Sequence, residues 1–223
     1  RICMRSSATS QAFSELNKIF VSTAEFLIYI LMPLSVFLYF FSEEIVTIIF
    51  KHGQFGESGV NDASIFLKYL GLQLPLLVIN NLFSRLLMAG HKVAQSFLYQ
   101  IAFNVVLIAM LFGGIKLLGI VGYPLALVTV YLLNIFACYF LEKFFFNIIQ
   151  YTSVLKNFIV LLLVNAILGM LIHAGVEALP IENYVARLFL AGALYVVALQ
   201  ALNAMLHLNE TALTLTKRLM LGK

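Results

Sequence analysis

Six apolar runs, each long enough to cross a lipid bilayer, leave this chain few folds to choose from: Ile19 to Phe41, Ala63 to Met88, Val93 to Phe112, Ile120 to Leu141, Val154 to Ala174 and Tyr184 to Leu206. A helix needs about 20 apolar residues to span the hydrocarbon layer. Within a single run only a helix satisfies its own backbone groups in lipid. The chain is therefore expected to be all-α, a polytopic integral membrane protein with six transmembrane helices. Composition agrees, with 62% of residues hydrophobic and 11% charged, against about a quarter charged in ordinary globular domains.

Orientation is read from Lys and Arg in the connectors. One side collects Arg1, Arg5, Lys18, Arg85, Lys92, Lys143, Lys156, Lys217, Arg218 and Lys223, while the other holds Lys51 and Lys116. Ten basic residues against two put the first side in the cytoplasm by the positive-inside rule. Both ends of the segment are then expected to be cytoplasmic. Because the net charge of +4 sits in connectors rather than on a stripe or tail, it argues against nucleic acid as a partner.

Between spans the local signals are those of caps and bends. Ser42 can cap a short outer helix whose first turn carries Glu43 and Glu44, where carboxylates favour the positive end of the helix dipole. That helix, IVTIIF, should stop at Gly53. The second span is expected to begin near the capping pair Asn61 and Asp62, and Gly71 with Pro75 should bend it near Pro75. Cys3 and Cys138 are too few for a disulfide framework and read as free thiols. Residue 1 is Arg and no cleavable signal peptide is indicated, so the chain reads as the C-terminal piece of something longer.

Polar residues recur along the apolar runs at helical spacing. Gln73, Asn80 and Ser84 stand at i, i+7 and i+11, on one face of the second span, with Asn81 and Arg85 on an adjoining stripe. The third span offers Asn104, and the fourth Tyr131, Asn134 and Cys138. The fifth has Asn165, and the sixth Gln200, Asn203 and His207. Taken singly, such amides read as bonds between helices, each worth roughly 0.6 to 2 kcal/mol. Taken together, with a seam on nearly every helix, they read as the lining of a water-accessible cavity that passes a polar head group. Lys68 and Arg187 are basic residues well inside apolar runs, near the outer ends. Such a charge either snorkels to the head groups or, facing a cavity, suits an anionic substrate.

Enzyme signatures are missing. The four histidines are isolated, and there is no GxSxG elbow, phosphate loop or GxGxxG. No cofactor is implied. Glu25 is the one acid placed within a span, which weakens a cation-driven antiporter built on this segment alone. The sequon at Asn209, Glu210 and Thr211 falls on the expected cytoplasmic side and carries no weight.

Several of these stretches resemble a known family. Phe50, Lys51, His52, Gly53, Gln54 and Phe55 resemble the F-x-R/Y-G-x-F signature of the MurJ (MviN) lipid II flippases, within the multidrug/oligosaccharidyl-lipid/polysaccharide exporter superfamily. Phe83, Arg85, Ala89 and Gly90 followed by Asn104 are similar to that family's R-x-F-Y-A-x-G-D-x-x-T-P-V … N connector and helix. Gly119, Gly122, Leu125, Ala126 and Asn134 resemble its G-x-x-G-L-A-L-A-T … N span. His91 stands where the family often has Asp, and Gln95 where it often has Pro.

The resemblance implies the last six of fourteen spans in a bacterial inner-membrane protein that moves a lipid-linked pyrophosphate by alternating access. Residues 1–142 would form four spans of the C-terminal lobe with an outer interfacial helix near residues 43–51. Residues 143–223 would add two closing spans that groove the lipid tail, then a basic tail. The partners implied are the lipid-linked substrate, membrane lipids and the missing N-terminal lobe. Cavity candidates are Gln73, Asn80, Asn81, Ser84, Arg85, Asn104, Asn134 and Lys68; groove candidates are Asn165, Arg187, Gln200 and Asn203. The family's pyrophosphate-gripping arginines lie in upstream helices and match no residue here. The alternatives are a polysaccharide repeat-unit or drug exporter of the same superfamily, and a non-transporting six-span scaffold.

Overall fold

The computed structural model of the chain describes residues 2–50, 56–146, 150–180, 183–206 and 208, with side chains from residue 14 onward. Among these, every regular element is helical. The bundle is organised around α1 (Ile2–Phe40), where Phe20, Ala24, Ile28, Met32 and Val36 are buried four residues apart. That spacing gives one continuous stripe along the helix, and α1 packs on α3, α4 and α7.

A short helix, α2 (Ser42–Phe50), follows α1. Its first turn bond runs from the Ile45 amide to the Phe41 carbonyl, so Phe41 occupies the capping position expected of Ser42. Lys51 to Phe55, which carry most of the FKHGQF motif, lie outside the described residues. The second span is two helices, α3 (Glu57–Leu72) and α4 (Leu74–Ala89), bent by 41°. Pro75 stands in the first turn of α4, where its missing N–H leaves nothing unsatisfied. The expected bend is therefore present. The start is one turn earlier than Asn61 and Asp62, capped by Gly56, because this end runs on beyond the apolar stretch.

Four continuous stretches are long and apolar enough to cross a membrane, and the bent pair makes a fifth. One of the four, Val93–Phe145, is 53 residues long. It folds back at Gly119, whose φ of 64° an L side chain rarely adopts. Its two arms, α5 (Val93–Leu118) and α6 (Gly122–Phe145), lie antiparallel. Each is roughly 36 to 39 Å long at 1.5 Å per residue, so either arm of the hairpin has the length of one crossing. The arms touch backbone to backbone at Gly114 and Gly122, where an added Cβ has no room.

The last pair, α7 (Tyr151–Glu177) and α8 (Tyr184–Leu206), is layered onto α1. Burial on α7 falls on Tyr151, Val154, Phe158, Leu161, Asn165 and Leu168, the alternating three and four spacing of a packed helix seam. Gly169 lets α7 approach Val36 and Phe40 of α1. α7 therefore extends the same bundle.

Contacts at the helix ends sort the connectors onto two sides. The Gln150 amide donates to Asn17 Oδ1 at 2.9 Å and Ser153 Oγ to Glu25 Oε1 at 3.2 Å. Gly90 packs against the Phe146 ring, leaving no room for a Cβ. Lys18, Arg85, Lys92, Lys143 and Lys156 thus gather at one end. At the other, Phe41 meets His173 and Phe66 stacks on Tyr123.

Candidate functional site

Two arrangements of polar side chains sit inside the bundle. The first joins α4, α5 and α6 around Asn80. Tyr99 Oη donates to Asn80 Oδ1 at 2.6 Å. Asn134 Nδ2 donates to Tyr99 Oη at 2.7 Å and to Asn80 Oδ1 at 3.1 Å. Cys138 Sγ closes the group at 3.2 Å from Tyr99 Oη. Since the Tyr99 proton goes to Asn80, the thiol is the donor in that last contact. One turn along, Ser84 Oγ and Ser96 Oγ are 3.0 Å apart and Ser96 Oγ also donates to the Ser84 carbonyl. All six side chains are buried, and Cys138 is a free thiol. Cys3 lies where side chains are not described.

The second arrangement is the flank between α1 and α8. A groove of about 360 Å3 is lined by Tyr29, Pro33 and Phe37 of α1 and by Gly192, Tyr195 and Gln200 of α8. Its back is tied by Tyr195 Oη, which donates to Asn165 Oδ1 of α7 at 2.9 Å. Asn165 Nδ2 returns to its own helix at the Leu161 carbonyl, 2.7 Å away. Asn203, just under one turn of α8 beyond Gln200, is fully buried. Arg187 is half-buried at the far end of α8, with Nη2 3.5 Å from the Glu177 carbonyl.

Family-model matching covers residues 4–207 with the model described as lipid II flippase MurJ. The chain belongs to the lipid II flippase MurJ family. A solved structure, "Lipid II flippase MurJ, inward closed conformation", matches with a TM-score of 0.64 at 16% sequence identity. The match covers 90% of this chain and 41% of that one, so the chain spans less than half of the MurJ structure whose fold it shares. No curated protein matches it.

Within this MurJ-family bundle the expected site residues do not share one site. Asn80, Ser84 and Asn134 come together in the buried cluster. Asn165, Gln200 and Asn203 stand at or behind the α1–α8 groove, while Arg187 lies on α8 beyond its Gly192 end. Asn81, Arg85 and Asn104 are exposed. Asn81 and Arg85 share a face of α4 turned away from the cluster, and Asn104 Nδ2 donates to its own helix at the Gln100 carbonyl, 2.8 Å away. Gln73 falls at the break between α3 and α4, apart from Asn80 and Ser84, because the bend interrupts the face that a straight helix would give them. Lys68 Nζ lies 4.4 Å over the Tyr39 ring. His207 is outside the described residues.

Sequence reasoning missed Ser96, Tyr99 and Tyr195, since a tyrosine in an apolar run reads as an interfacial or lipid-facing residue. It also missed Glu142. The helix α6 continues four residues past Leu141, and Glu142 in its last turn is 3% exposed, so Glu25 is not the one acid on a membrane helix.

Proposed function

We propose that this chain is the C-terminal part of a flippase that carries a lipid-linked cell-wall precursor, lipid II, across the bacterial inner membrane by alternating access. The observation that carries the reading is the exposed stripe of Asn81 and Arg85 on α4. A guanidinium and an amide on a membrane helix are costly against lipid and at home on a water-filled cavity. Asn104 is a further exposed amide, on α5. The cavity is completed by the rest of the protein, and Arg85 attracts the pyrophosphate of the substrate. Ten basic residues against two orient this end to the cytoplasm. The buried cluster is assigned to holding helices together. Residues 1–142 act as the lobe that rocks, and residues 143–223 carry the groove for the lipid tail against α1.

Two measurements on the full-length protein test this. Single cysteines replacing Asn81 and Asn104, in a background with Cys3→Ser and Cys138→Ala, should react in membranes with a water-soluble maleimide. A cysteine replacing Asn80, one position away, should not. Protection of both Asn81 and Asn104 sinks the cavity. Arg85→Glu should slow lipid II translocation in proteoliposomes by at least roughly tenfold, one charge-assisted contact being worth about 1.5 to 3 kcal/mol.

A further inference from the structure

We propose that the α5–α6 hairpin carries a second lipid site, independent of the substrate path, which holds a resident anionic glycerophospholipid. An apolar groove of about 450 Å3 runs along the outer face of the hairpin, from Val106 and Val130 in the bundle's middle to Gln95, Leu141 and Phe145 at the basic end. Its floor includes Tyr99 and Asn134, but their hydroxyl and amide groups are turned to each other and to Asn80. The groove therefore asks nothing polar of its occupant along its length. From Gln95 to Val106 it extends roughly 16 Å, about the depth of one leaflet of a 30 Å hydrocarbon layer. One acyl chain fits that length.

In lipid an apolar groove alone selects nothing, because a chain in the groove and a chain in the bilayer are equally apolar surroundings. Selection has to come from the mouth. There Lys92 Nζ stands 4.9 Å over the ring of Phe145, the same residue that ends the groove, and 5.7 Å over Phe146. Gly90 admits the Phe146 ring against the connector, so the ammonium is held at the groove's end rather than swinging freely. The amide of Gln95 lines the groove one turn further in. A fixed cation with a neighbouring amide, at head-group depth above an acyl-length slot, suits a phosphodiester with a net negative charge. A zwitterionic head group brings its own cation to the same place and is disfavoured.

The test is native mass spectrometry of the detergent-purified full-length protein, offered phosphatidylglycerol or phosphatidylcholine of identical acyl chains. Wild type should retain one phosphatidylglycerol with about fivefold preference, the weight of one lysine at the surface. Lys92→Ala should remove the preference while Lys143→Ala keeps it, and Ala102→Trp should expel the lipid. A photo-crosslinking residue at Leu98, on the rim, covers the case in which the tryptophan variant does not fold: an adduct of phospholipid mass supports the proposal. Equal retention of both lipids overturns it, as does crosslinking of Leu98 to another segment of the same protein, which would mean that a helix fills the groove. Displacement of phosphatidylglycerol by a polyprenyl pyrophosphate would also overturn it, by making the groove part of the substrate path.

Discussion

Asn80 and Asn165 are both buried amides in the middle of apolar helices, yet they join their neighbours differently. Asn80 Oδ1 accepts from two other helices, from Tyr99 on α5 and Asn134 on α6. Asn165 gives its amide protons back to its own helix and offers only its oxygen to Tyr195 on α8. The first joint is a three-helix node in which each member satisfies the others. The second is a single tie across two helices. The glycines repeat the contrast, since Gly122 meets the backbone of α5, whereas Gly169 meets the side chains of Val36 and Phe40. The α4–α5–α6 region is thus built to hold one arrangement, and the α1–α7–α8 region has more give.

The largest effect that would sharpen this comparison comes from the glycines. Gly122→Ala should destabilise the protein by about 3 kcal/mol or more, because neither backbone can yield without opening the hairpin, while Gly169→Ala should cost about 1 to 2 kcal/mol as Phe40 turns aside. Thermal melting in detergent reads both, and equal losses would break the contrast. Next is Asn80→Leu, which takes away the acceptor of the Tyr99 proton and one of the Asn134 bonds and should cost about 2 kcal/mol. Asn165→Leu should cost about 1 kcal/mol, since Tyr195 Oη keeps the Asn165 carbonyl within 3.3 Å. A loss larger than that of Asn80→Leu would reverse the ranking of the two joints. Smallest is Asn104→Leu, expected within about 0.5 kcal/mol of wild type because its amide bonds only to its own helix.

The all-helical, polytopic class and the sorting of connectors onto two ends were legible because the apolar runs have bilayer length and the lysines cluster between them. The bend at Pro75 was legible for the same local reason. What periodicity could not assign is which polar face turns inward. Gln73, Asn80 and Ser84 lie on one face of an ideal helix, but the break at Gln73 separates the first from the other two. Asn80 and Asn81 are neighbours in sequence and face opposite environments, and nothing in an apolar helix says which of two polar stripes is covered. Tyr99 and Tyr195 complete both joints. An aromatic among leucines and valines carries no mark that distinguishes a hydrogen-bonding partner from a lipid-facing ring. Glu142 was hidden because the helix outlasts the hydrophobic run.

The length of α1 has a mechanical consequence. Thirty-nine residues make a rod of roughly 58 Å, against about 40 to 45 Å for the whole bilayer with its head groups. The part apolar enough to cross is Ser14–Phe40, 27 residues or roughly 40 Å, so the helix runs on past its apolar span, and it packs against α4 and α7. Pro33 stands inside that rod, where the missing N–H and the crowded ring interrupt the backbone ladder, so the two halves of α1 are joined at a hinge point rather than by an unbroken helix.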